Sequence, residues 1–91
     1  MSVHRVELAE KLQSLFEEQE SQLNGVRLDS NLLAMRLKSL QLLGLVAAIE
    51  QQLSVSLSPA LIFEHPQLQE LADFLLERFP DECSVWMSRN T

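Results

Sequence analysis

The sequence predicts an all-α domain of three long helices and one short one, with a long first loop. Three observations predict it. Only two glycines and three prolines interrupt the 91 residues. Apolar residues recur at helical offsets in three separate segments, and no segment alternates apolar and polar residues as a half-buried strand would. A chain this short buries roughly 60–65% of the surface its unfolded form exposes, so one core is the limit. A deep enzyme cleft with its own supporting shell is not expected.

The first helix is expected over residues 3–21. Leu8, Leu12, Leu15 and Phe16 form its apolar stripe, and Glu7, Glu10, Glu17, Glu18 and Glu20 fill the other faces. Asn24-Gly25 is a strong turn signal, and residues 22–38 read as a loop pinned by Val26, Leu28, Leu32, Leu33 and Leu37. The second helix should take Ser39 as its N-cap and end near Leu53. Ser58-Pro59 opens a very short helix through Phe63, with proline at the first helical position.

His65-Pro66 repeats that device. It launches a last helix with Leu68, Leu71, Ala72, Leu75 and Phe79 at offsets 0, 3, 4, 7 and 11, ended by Pro80. Residues 80–91 offer no usable pattern, so the expected division is a domain over 1–80 and a tail or linker over 81–91. The expected core unites Leu12, Leu15, Leu42, Leu45, Val46, Ile49, Phe63, Leu71 and Leu75.

A hydrophobic fraction of 46% with 22% charged residues belongs to a folded domain rather than a disordered one. The net charge of −6 opposes nucleic-acid binding, because phosphates would repel the chain at every approach. No apolar run nears the roughly 18 residues of a membrane span, and the opening "MSVHRVELAEKL" is amphipathic rather than signal-like. A lone cysteine, Cys83, makes no internal disulfide, and the expected location is the cytoplasm.

The segment "MRLKSLQLLGLVAAIE", residues 35–50, concentrates the chemistry. Leu42, Leu45, Val46, Ile49 and Leu53 give a complete core stripe. The remaining face, with Leu40, Leu43, Gly44, Ala47, Ala48 and Gln51, is largely small and apolar where a solvated face should be charged. No acidic residue lies between Asp29 and Glu50, while Arg36 and Lys38 precede a lone serine, Ser39. A face of this kind is usually covered by something, and it is expected to be a contact surface.

Helix, long loop, serine-headed helix and then "LSPALIFEHPQLQELADFLLERF" follow one another in an order that resembles the acyl carrier protein domains of polyketide synthases. Peptidyl carrier domains are a more distant likeness. The resemblance runs from Val6 to Phe79 and is carried by "LDSNLL" at 28–33, Ser39-Leu40 and "IFEHP" at 62–66. It implies an acyl-carrier-like four-helix bundle, three helices long and one short, with no catalysis of its own. It also implies a 4′-phosphopantetheine arm, esterified to Ser39 by a phosphopantetheinyl transferase, that holds acyl intermediates as thioesters for acyl-processing synthase enzymes. A phosphodiester there would meet unpaired N–H groups and the positive end of a helix dipole.

Two departures from such carriers stand out. They usually have glycine three residues before the serine and aspartate just before it, where this chain has Arg36 and Lys38. The glutamate usual five residues after the serine is Gly44. The implied partner interface, Arg36, Lys38, Leu40, Leu43, Gly44, Ala47 and Ala48, is thus cationic and then neutral. The alternative reading is an unmodified carrier-like module that docks a partner through this face; a third is an unrelated small helical domain. A monomer is expected, with a dimer through the apolar helix face as the variant.

Other residues read as structure. His4 and His65 are far apart, with no second ligand motif near either, so no metal site is expected. His65 should shape the turn before Pro66, Cys83 should be an exposed bystander thiol, and Trp86 and Met87 should lie in a frayed end. Ser14, Ser21, Ser30 and Ser54 need no chemistry.

Overall fold

Helix α1 spans Arg5–Gln19 in the computed structural model, which describes residues 4–89. The expected start at residue 3 lies outside the described residues. The predicted stripe is real: Leu8, Leu12, Leu15 and Phe16 are all buried, and Ala9 is buried with them. Helix α2, Ser39–Leu53, buries Leu42, Leu45, Val46, Ile49 and Leu53 as expected. It ends on Ser54 in the left-handed conformation, with φ 57°, whose N–H donates to the Glu50 carbonyl. Helix α3 is a single turn, Leu61–Glu64, and α4 spans Leu68–Arg78 with Leu68, Leu71, Ala72 and Leu75 inward.

All described residues are helical or in turns and loops, with no strand among them. The core lies where α1 packs most extensively on α4 and is closed by α2, while α3 bridges α2 and the loop before it. An exposed ion pair, Arg5 to Asp73 at 2.6 Å, also joins α1 to α4. The loop is held by more than its own apolar anchors. The Leu32 N–H donates to the Pro66 carbonyl at 2.8 Å, and the Gln69 N–H to the Leu28 carbonyl at 3.2 Å. The loop contains two 3-10 turns, Ser21–Leu23 and Leu32–Met35. Leu23, Val26 and Leu32 are buried, whereas Leu33, expected as an anchor, is largely exposed.

Three expectations are corrected. Phe63 was assigned to the core but is 54% exposed; Leu61 and Ile62 are buried instead. A one-turn helix can point only two adjacent residues inward, and Phe63 lies about 200° round from Leu61. Ala48 was placed on the outward face of α2 but is buried. Helix α2 is gripped by α1, α3 and a further helix, so its solvated arc narrows to Ser39, Leu40, Leu43, Gly44, Ala47 and Gln51.

That further helix is the third correction. Residues expected to be patternless form α5, Pro80–Ser88, which packs on α1, α2 and α4. Pro80 sits at its first position and Asp81 and Glu82 in its first turn, both favourable at a helix N-terminus. Cys83 and Trp86 are buried, not exposed or frayed. The Lys11 ammonium lies 5.2 Å from the centre of the Trp86 ring, and Arg89 donates to the Gln52 carbonyl at the C-terminal end of α2. Residues 90 and 91 of the expected tail lie outside the described residues.

Candidate functional site at the start of α2

The chain reaches α2 through a tightly defined approach. Asn31 opens the second 3-10 turn, its Oδ1 accepting the Leu33 N–H at 2.9 Å. The turn ends at Arg36, whose φ 60° and ψ 34° are left-handed. That conformation suits glycine and is strained for arginine. The backbone extends through Leu37, half-buried, to Lys38 at φ −74° and ψ 156°.

Lys38, not Ser39, takes the N-cap position, and Ser39 is the first helical residue. The reason is Gln41. Its Oε1 accepts the Lys38 N–H at 2.7 Å, as the third residue of a capping box does, while the lysine ammonium has no acceptor to return. Gln41 Nε2 then donates to Glu20 Oε1 at 2.6 Å and to Gln22 Oε1 at 2.7 Å. One amide therefore ties the end of α1 and the first 3-10 turn to the start of α2. This clamp had no signature in the sequence.

Ser39 is exposed, and its hydroxyl makes no hydrogen bond with a described residue. The first bond into the helix runs from the Leu42 N–H to the Lys38 carbonyl at 3.0 Å, so the N–H groups of Ser39, Leu40 and Gln41 precede it. No acidic residue occupies the first turn of α2. Positive partial charge, a free hydroxyl and access to solvent coincide here, which suits a phosphodiester on Ser39 Oγ.

The surroundings are apolar and cationic. Leu40 is 79% exposed and Leu43 44%, with Gly44 and Ala47 exposed beside them. Phe63 on α3 and Leu33 on the 3-10 turn are exposed as well, on elements that touch each other, α3 also touching α2. A Cβ built on Gly44 would meet nothing within 4 Å, so that position faces open space. Arg36 and Lys38 are exposed and form no ion pair with a described residue.

The remaining candidates are structural. His65, in the turn before Pro66, packs against Phe74 with ring centres 4.9 Å apart and the planes tilted by 34°. Burial, and then the neighbouring Glu82 carboxylate, push the Cys83 thiol up to about 11. An open groove of about 260 Å³ between α2 and α5, lined partly by Gln52, Asp81 and Arg89, lies at the other end of α2 from Ser39. Among the described residues no three His, Cys, Asp or Glu side chains converge as a metal site, and no helix is long and apolar enough to cross a membrane.

The chain matches a family model described as the phosphopantetheine attachment site, over residues 6–75. No curated protein and no solved structure gives a significant match.

Proposed function

The chain belongs to the phosphopantetheine-attachment family, and on that premise we propose that Ser39 is its attachment residue, in a carrier that serves polyketide-type biosynthesis. Domains of the family carry acyl groups on a covalent 4′-phosphopantetheine and are not themselves catalysts. The arm's terminal thiol supplies the thioester chemistry. The domain's own part is to present one hydroxyl, position it and keep it accessible.

The observation that carries the reading is the state of Ser39: exposed, first in α2, and free of hydrogen bonds to described residues. For a transferase to load the arm, Ser39 Oγ would form a bond to the phosphorus next to pantetheine, its proton passing to a base of the transferase, while the pyrophosphate link of coenzyme A breaks and adenosine 3′,5′-bisphosphate leaves. The N–H groups of Ser39, Leu40 and Gln41 would hold the phosphodiester. Gln41 holds that turn in place. The polyketide assignment is supported by "LDSNLL" and "IFEHP"; it implies acyl-processing synthase enzymes as partners, with this domain acting as a cytoplasmic monomer.

Incubation with coenzyme A and a broad-specificity phosphopantetheinyl transferase, read by intact mass, tests this. The wild type should gain one phosphopantetheine, and Ser39→Ala should gain nothing. No gain in the wild type would remove the reading. A second reading, an unmodified module that docks partners through the α2 face, is favoured by the exposed Leu40 and Leu43, and it would then stand.

A further inference from the structure

The seven cations of this chain divide into two groups. Arg5 pairs with Asp73 and Arg27 with Asp29. Lys11 lies over Trp86 and Arg78 over Phe74, while Arg89 donates to the Gln52 carbonyl. Arg36 and Lys38 alone have no ionic, aromatic or hydrogen-bonding partner for their side chains among the described residues. They also flank Leu37 just before α2, and the start of a helix is where cations are least favoured. Arg36 holds a left-handed backbone as well. A residue kept in an unfavourable conformation beside a functional position suggests a use outside the folded chain.

Resting on the reading of Ser39 as the arm site, we propose that Arg36, Lys38, Leu40, Leu43 and Phe63 form a docking face for a processing enzyme with an apolar seat and an acidic rim. The apolar residues supply contact area, and the cations set polarity and register. The chain as a whole carries a net charge of −6 even with these two cations counted, so this face is a local inversion that an acidic partner can recognise. A second copy of the chain offers acidic surface too, but its docking here would cover Ser39. An anionic membrane would attract two cations while repelling the acidic remainder.

Two transferases serve as probes: a broad-specificity enzyme with a basic carrier-docking surface, and a variant of it with those basic residues reversed to glutamate. Each loads the wild type and the Arg36→Gly/Lys38→Asp double variant, followed by intact mass. The wild type should load about tenfold or more faster with the charge-reversed enzyme, and the double variant should reverse that preference. Both preferences should shrink as salt rises to about 1 M, where screening acts within about 3 Å. Phe63→Ser should raise KM with both enzymes while melting stays unchanged.

Equal preference by wild type and double variant would overturn the proposal. So would tight binding to phosphatidylserine vesicles, in favour of a membrane, or a dimer in sedimentation, in favour of a second copy. If Ser39→Ala still gains mass, or nothing loads any form, the Ser39 reading itself has failed and takes the docking face with it.

Discussion

Replacing Arg36 with glycine should stabilise the domain. Arg36 is held at φ 60° and ψ 34°, where an L side chain costs about 1–2 kcal/mol relative to the right-handed region. Glycine avoids that cost but loses about 0.5–1 kcal/mol more than alanine in backbone freedom on folding. Removing a positive charge before α2 returns a few tenths of a kcal/mol at low salt. The net gain is about 0.5–1.5 kcal/mol, and at about 4–8 °C per kcal/mol for a domain of this size the melting temperature should rise by about 2–12 °C. Arg36→Ala is the control, because it removes the same charge but keeps a Cβ in the left-handed well. Differential scanning calorimetry of all three proteins in low and high salt separates the contributions. The charge contribution should vanish with salt, and the backbone contribution should not. If Arg36→Gly melts no higher than Arg36→Ala in both buffers, the left-handed strain at this position is not real.

Three further outcomes follow from burial. Ile49→Ala should cost about 2–5 kcal/mol in urea unfolding, whereas Phe63→Ala should cost about 0.5 kcal/mol or less, and a reversed order would mean that α3 is turned the other way. Gly44→Glu should leave melting nearly unchanged, because the position faces open space, while Ala48→Glu should destabilise strongly by burying a carboxylate; thermal melts of the pair decide it. Because the folded Cys83 thiol ionises only near 11 against an ordinary value of 9.0, the unfolded chain loses this proton first as pH rises. Stability is then fully present below about pH 9 and falls through about pH 11, by about 2–3 kcal/mol. Cys83→Ala should lack that part of the slope, and identical slopes in wild type and mutant would dismiss it.

What the sequence made legible depended on periodicity and length. The stripes of α1, α2 and α4 repeat over several turns, so their burial could be assigned residue by residue. Ser39 stood out because it heads the most apolar helix directly after two cations. Helix α5 is only nine residues long, too short to announce itself by repetition. Its evidence lay in Pro80, Asp81 and Glu82 as a helix start, with Cys83, Trp86 and Met87 three and four residues apart. Phe63 was misplaced because one helical turn has no period to read. Ala48 was misplaced because a small residue reports little about which side of a helix is covered. The Gln41 clamp joins residues 19 and 21 positions apart in sequence, and no local rule predicts such a pairing. The left-handed Arg36 left only the hint that related carriers use glycine there.

The bond from Arg89 to the Gln52 carbonyl has a practical consequence for how the domain can be held. Gln52 is 13 residues along α2 from Ser39, so the two ends of that helix stand about 20 Å apart at 1.5 Å per residue. The chain therefore leaves α5 at the pole opposite the serine. A sensor surface, fluorophore or bead attached through a C-terminal extension grips the molecule from behind. The serine pole then points outward into the flow, unobstructed by its own handle, whereas an attachment on the 24–36 loop would turn that pole toward the support.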